Sequence, residues 1–408
     1  MKKSYLMIAA ATTILAACSS NDTFKEVDDN ETVLIGFETF HEKATRATAT
    51  GEISGPTNFT KAHGGFGVWG YKGTPANIVA ASGTPAATVD ISSTTNFATV
   101  FNNVQVWYES ASEPSQGFKY AVPKYWDKNM EYIFFAYAPY DNTNATLNRS
   151  TGNITIANIA SIQDISANNS ETGEALVYSG TNTTSVTDYL MASYEYDQKL
   201  NTTNQSGKDY DLKGQTVGFT FGHMLSKLQI NLQASQAYSG VKTLTVNSLS
   251  IENMPTSAST KASFTQTSPT APAGAYTPSS YTSSLNVIGT GGTSTSALTI
   301  LKNGSISGET VTAPTAQNQS FNYYVAPNTP TGEGTNKYLL NINYTITYVD
   351  NIVENVVVED VDLSSKLASL LQNNSYTLTI KVGLNQIYFT VESVTGWTSQ
   401  TAQEIEVK

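Results

Sequence analysis

The chain has 408 residues, with 22 Lys and Arg against 33 Asp and Glu, a formal net charge of −11 at pH 7, and a single cysteine. An acidic chain with only 13% charged residues and no basic cluster is a poor ligand for nucleic acid, and one cysteine excludes an internal disulfide. Thr, Ser, Asn, Tyr and Val recur throughout, as in exposed β-structure, while 23 Tyr, 15 Phe and 4 Trp argue against disorder along the whole chain.

The first feature in chain order is a leader. Lys2 and Lys3 precede an apolar stretch from Tyr5 to Leu15 that ends in Leu15-Ala16-Ala17-Cys18. A basic n-region, a short h-region and small residues at a cut site make residues 1–17 a signal peptide. The stretch is shorter than the ~20 residues of a membrane-spanning helix. Cys18 stands where a bacterial lipoprotein is acylated, and several acyl chains anchor durably where one binds marginally. The sequence therefore places the chain at a membrane surface outside the cytoplasm, with residues 19–30 as a polar tether.

Val33 to Phe40 reads as the first strand, with Val33, Ile35 and Phe37 on one face and Glu38 on the other. Lys43 to Thr50 carries no apolar pattern and reads as an exposed linker. Strands are then expected at Phe66–Tyr71, Val104–Tyr108 and Tyr120–Trp126. The strongest core signal is Tyr132–Ala138, ended by Pro139. Asn142 to Ser185 is polar, with short strands at best, such as Ile154-Thr155-Ile156. Thr216–Phe221 and Lys227–Leu232 alternate well on either side of Gly222–Ser226, and the domain junction is placed near Gly214.

In the second half, Val241–Val246, Phe321–Val325 and Tyr338–Val349 read as strands, and the polar stretch Pro255–Ser296 reads as long surface loops between short strands. Asp362 can cap a short helix with Leu363, Leu367, Leu370 and Leu371 on one side. Tyr376–Val382 and Ile387–Val394 are the last strands, followed by Trp397 and a short polar tail, Thr398 to Lys408. The fold class is all-β, with two consecutive β-sandwiches as the architecture. The expected organisation is a signal peptide (1–17), a lipidated segment with a removable first strand (18–46), an N-terminal domain (47–214) and a C-terminal domain (215–408).

Little in the sequence points to catalysis. His41, His63 and His223 are isolated in sequence, with no His-Glu-x-x-His or Cys/His cluster for a metal. Gly64-Gly65-Phe66-Gly67 leads into a strand and is no phosphate loop. No catalytic residue, metal ligand or cofactor is expected, and the chain is read as a non-enzyme. A surface lipoprotein that binds glycan or host protein as a monomer is the alternative, with Trp69, Trp107 or Trp126 as a stacking platform.

An ordered set of motifs resembles the fimbrillin-like proteins of Bacteroidales, the subunits of type V pili. The set runs from the lipobox at Cys18 through Ile35-Gly36-Phe37 and Thr45-Arg46-Ala47 to Phe66–Tyr71, Tyr125-Trp126 and Tyr132–Tyr140. Asp188-Tyr189-Leu190-Met191-Ala192 follows, then Val217–Leu228 with Gly222-His223-Met224-Leu225-Ser226 at its centre, and finally the C-terminal strands with Trp397.

The resemblance implies two tandem transthyretin-like β-sandwich domains and a location at the outer membrane and in cell-surface fimbriae. It implies processing by lipoprotein enzymes and by an arginine-specific protease, which on this chain would cut between Arg46 and Ala47. Losing the first strand would open an edge that a strand of another pilin subunit fills, giving head-to-tail filaments that support adhesion to a host or bacterial surface ligand. A C-terminal strand is the expected donor, and Ile387, Phe389 and Val391 carry suitable alternation.

Overall fold

The alternating segments form strands over most of the described residues. The computed structural model describes residues 33–41, 59–62, 64–74, 90–110, 117–127, 129–164, 188–192, 195–196, 216–236, 238, 240–255, 262–266, 274–276, 283–289, 297–302, 315–316, 319–330, 337–384, 387–394 and 400–406. The leader, Cys18, the linker with Arg46 and Ala47, the division at residue 214 and Trp397 lie outside the described residues.

The strands of the first half are β1 (Gly36–His41), β2 (Phe66–Gly73), β3 (Phe97–Glu109), β4 (Gly117–Tyr120), β5 (Glu131–Ala138), β6 (Ala145–Asn148), β7 (Asn153–Ile159), β8 (Ile162–Asp164), β9 (Leu190–Ala192), β10 (Glu195–Tyr196) and β11 (Thr216–His223). Those of the second half are β12 (Ser226–Ala234), β13 (Val241–Met254), β14 (Ala262–Gln266), β15 (Gly274–Tyr276), β16 (Ser283–Ile288), β17 (Leu298–Lys302), β18 (Thr315–Ala316), β19 (Gln319–Val325), β20 (Leu339–Tyr348), β21 (Val353–Asp362), β22 (Ser375–Val382), β23 (Ile387–Val394) and β24 (Gln400–Glu406).

The first sheet has the order β1-β11-β9-β5-β2-β3-β4, with β10 beside β5. Its two ends come back to each other. Leu34 bridges Tyr125, the Ile35 N–H donates to the Lys124 carbonyl at 2.9 Å, and the Trp126 N–H donates to the Val33 carbonyl at 3.0 Å. The sheet is thus nearly closed into a barrel, and the first strand is the stave that closes it.

Both faces of this sheet are covered. Tyr132, Phe134, Ala136 and Ala138 of β5 point into the barrel with Phe66, Val68 and Phe219, whereas Ile133, Phe135 and Tyr137 pack outside with Trp69, Tyr71 and Ile156. That is why all eight residues of β5 are buried and why the segment reads as a continuous apolar run. Gly67 lies beneath the Tyr137 ring, where an added Cβ would come within 2.3 Å of Cε1.

In the second half, β12 lies in the sheet β24-β23-β22-β12-β19-β8, and β13 in the sheet β18-β17-β13-β20-β21, with β16 beside β13. Leu228, Ile230 and Leu232 of β12 share one core with Leu244 and Val246 of β13 and Leu340, Ile342, Tyr344 and Ile346 of β20. This is the arrangement of two sheets packed face to face.

The halves interlock. β8, from the first half, pairs with β19, and β14, from the second, pairs with β7 in the small sheet β15-β14-β7-β6. The core outside the barrel also takes Met224, Leu225, Tyr324 and Ala326. The sheets change hands at the β11–β12 turn, because β11 belongs to the barrel and β12 to the second half.

Three features depart from the sequence reading. The helix after Asp362 does not form. The Asp362 carboxylate accepts from the Ser364 N–H at 2.8 Å, and the Leu367 N–H reaches the Leu363 carbonyl at 2.7 Å, giving a single turn. The chain then leaves to exchange two backbone bonds between Leu370 and Asn328, both 2.8 Å. Leu363, Leu367 and Leu370 are buried as expected, but Leu371 is exposed. β21 was not legible, since an edge strand with exposed Val353 and Val357 lacks a clean period of two. The polar tail holds β24, an edge strand whose sequence has little apolar character.

Candidate assembly site: the groove of the first strand

β1 runs parallel to β11, from Gly36 opposite Thr216 to His41 opposite Phe221. Parallel pairing is slightly weaker per residue than antiparallel, so side-chain burial must hold this strand. Ile35 is fully buried and Phe37 nearly so. The Phe37 ring has five aromatic neighbours, Phe66, Phe101, Tyr120, Phe134 and Phe219, with centroids between 5.3 and 6.4 Å away. Four meet it edge-on, and Phe219 is stacked. The groove is therefore an aromatic cup centred on one side chain of the first strand.

At the other lip, the Tyr120 hydroxyl donates to the Ile35 carbonyl at 2.7 Å. Burial pushes the Tyr120 phenol up from its ordinary value. Leu34 and Tyr125, which bridge across the lip, are each about half exposed.

Two positions of β1 fit less well. Thr39 shares the inward parity of Ile35 and Phe37, and its hydroxyl oxygen is buried without a hydrogen-bond partner. Glu38 is half-buried, and loss of hydration raises its carboxyl above the ordinary carboxylate value. A raised acid means that the folded state favours the neutral form. The unfavourable contribution is thus absent at pH below the usual carboxylate range and grows as pH rises through the folded value. Glu38→Gln is expected to raise the melting temperature at about pH 7 and to change it little near about pH 3. Equal shifts at both pH values would contradict this.

The donor candidates Ile387, Phe389 and Val391 lie on β23, between β22 and β24. They stand opposite Val382, Ile380 and Leu378 of β22. β24 covers the other side, with Phe389 opposite Ile405 and Val391 opposite Gln403. Releasing β23 means peeling the terminal hairpin from β22.

The far end of the groove wall carries a contact the sequence reading missed. His223, isolated in sequence, is paired in the fold: its Nδ1 lies 2.9 Å from Oδ1 of Asp188, a carboxylate with no exposed surface. The two motifs Asp188–Ala192 and Gly222–Ser226 meet here. The Met224 N–H donates to the Tyr189 carbonyl at 2.8 Å, and the His223 N–H to Asn373 Oδ1 at 3.2 Å. The signal available in the sequence was one titratable residue, Asp188 or His223, beside the apolar residues of each motif.

The tryptophans are poor stacking platforms. Trp69 is buried against Tyr137, Trp126 packs on Tyr132, and Lys61 lies 4.4 Å over the Trp107 ring. Among the described residues, no group of three or more His, Cys, Asp or Glu is placed to hold a metal.

A family model described as fimbrillin-like matches residues 45–397. Among solved structures, a fimbrial protein from Bacteroides vulgatus is 15% identical, with 92% of this chain and 99% of that one covered at a TM-score of 0.51. Two proteins described as concerned with cell adhesion, from Bacteroides uniformis and Bacteroides ovatus, are 14% and 13% identical, both with TM-scores of 0.40. They cover 90% and 93% of this chain and 98% and 100% of their own. The first of the three bears on the fold. No curated protein matches.

Proposed function

The chain belongs to the fimbrillin-like family, and from that premise we propose that it is a fimbrial subunit assembled by strand exchange after removal of its first strand. Its setting is the outer membrane and the cell-surface fimbria, and its role is structural rather than enzymatic.

In this reading, Cys18 carries a lipid that delivers the precursor to the outer membrane. An arginine-specific protease then cuts between Arg46 and Ala47, and residues 18–46 depart with β1. The body that remains consists of two transthyretin-like β-sandwich domains divided near residue 214, with β11 returning to complete the first. A strand of another subunit refills the groove, and because the contact is head-to-tail it propagates as a filament.

The observation that carries the reading is the seating of Phe37 in its cup of five rings. Its removal opens an apolar groove and bares the β11 edge together, and an open edge invites another strand. The burial of Trp69 and the neighbours that cover the rings of Trp107 and Trp126 weigh against the monomeric glycan- or host-binding lipoprotein.

N-terminal sequencing of the surface form is the direct test, with Ala47 expected as the first residue. An acylated Cys18 on assembled protein would reject the cleavage. The Arg46→Ala precursor is expected to stay monomeric and to give no SDS-resistant ladder from surface preparations. Filaments formed by it would reject cleavage as the gate.

A further inference from the structure

Arg46 and Arg149 are the only arginines of the chain. A protease that recognises a guanidinium and cuts after Arg46 therefore has one other bond to attack, Arg149–Ser150. That bond lies in the turn between β6 and β7, in the run Asn148-Arg149-Ser150-Thr151-Gly152. Small polar residues at a loop tip mark a place that is readily nicked, but burial and hydrogen bonding of the backbone decide whether it is.

Three features close this one. Arg149 Nε and Nη2 both donate to the Ile91 carbonyl, at 3.0 and 2.6 Å, and the guanidinium carbon lies 4.8 Å from the centroid of the Tyr71 ring, over its face. The Arg149 carbonyl itself accepts from the Ile91 N–H at 2.7 Å. The backbone is also folded back on itself. The Asn148 carbonyl accepts from the Gly152 N–H at 2.8 Å and Asn148 Oδ1 from the Ser150 N–H at 2.9 Å, with Gly152 at a φ of 73°. A protease needs the reverse of each: the side chain free to enter its specificity pocket, the carbonyl free for its oxyanion donors, and the chain drawn out on either side.

The latch is anchored in a core. Ile91 is fully buried among Tyr71, Ile154 and Ile156 outside the barrel, and β7 is paired on its far side with β14. Freeing Arg149 therefore means pulling Ile91 from that core or parting the β6–β7 hairpin. Ile35 and Phe37 belong to the other core, inside the barrel. The latch is thus built without the first strand.

We propose that Arg149–Ser150 is a second, fold-guarded cleavage site. It is closed in the folded precursor and in the body left after the first strand departs, and open in a chain whose N-terminal half has come apart. Hydrolysis there adds water across the amide, leaving a carboxylate on Arg149 and an amino group on Ser150. The enzyme that trims a folded chain after Arg46 thus severs a misfolded one. The proposal rests on the cleavage reading for the class of enzyme, and adds to it a second bond and the guard upon it.

The test exposes the full chain to an arginine-specific protease and follows the fragments by mass. Cleavage after Arg149 is expected to be at least roughly a hundredfold slower than after Arg46, because it tracks the small population in which the latch is open. The resistance is expected to persist once the Arg46 cut is complete. A synthetic peptide of residues 144–154, which carries the sequence without the fold, is expected to be cut readily. Ile91→Ala loosens the residue that holds both the side chain and the carbonyl of Arg149. It should speed the Arg149 cut by roughly tenfold or more and leave the Arg46 rate unchanged.

Comparable rates at the two bonds in the folded chain would overturn the guard while leaving cleavage after Arg46 standing. An uncut peptide would overturn the site, since the resistance would then lie in the local sequence. Absence of any cut after Arg46 would reject the maturation reading, and the folded chain against the peptide would still decide the guard. That comparison needs no substitution, so it holds even if Ile91→Ala does not fold.

Discussion

Phe37→Ala in the full chain is expected to lower stability by about 3–5 kcal/mol, the cost of emptying a large aromatic site in a packed core. The five surrounding rings come from β2, β3, β5, β11 and the end of β4, so they are held by strands with their own partners and cannot collapse into the void. Urea unfolding followed by near-ultraviolet signal reads the loss. Leu34→Ala on the neighbouring, half-exposed position is the control and should stay within about 0.5 kcal/mol. Near-equal effects at the two positions would mean that the first strand is not held by its inward face.

His223→Phe is expected to cost about 3–5 kcal/mol, because it strands a carboxylate that has no exposed surface. One Asp188 oxygen has the imidazole at 2.9 Å, and the other is already buried without a partner. Asp188→Asn should cost less, since an amide can still hydrogen-bond a neutral imidazole and brings no charge. Pairing Asp188→Leu with His223→Phe should recover part of the loss, and a coupling of more than about 1 kcal/mol in the double-mutant cycle is the expected signature of a direct contact. Strict additivity would reject it. The pair matters beyond its own energy. It sits where the chain leaves the barrel for the second half, next to the Met224–Tyr189 and His223–Asn373 bonds. It therefore fixes the end of β11, the strand that forms one wall of the first-strand groove.

The seating of the first strand was largely legible in the sequence. Ile35 and Phe37 were assigned to one face of a strand with Glu38 on the other, and the structure buries the first two and leaves Glu38 half-exposed. The parity of β2 was equally readable, with Phe66 and Val68 packed inside the barrel and Trp69 and Tyr71 outside. The leucines after Asp362 misled, because three of the four do face the core but the backbone bonds to Asn328 end the turn before a helix can propagate. β21 and β24 escaped for the opposite reason: as sheet edges they are not obliged to bury one face.

The sequence by itself determined the β-class, the strands with a buried face, the inward residues of β1 and the family. These follow from a period of two and from composition, which are local properties of the chain. Only the tertiary structure decided that β1 is the closing stave beside β11, that Asp188 meets His223, that β8 and β14 cross between halves, and that the Thr39 hydroxyl is left unpaired. Those facts depend on which distant segments lie side by side. Side-by-side placement is set by the summed burial of all the sheets together, and no single strand carries that sum in its own residues.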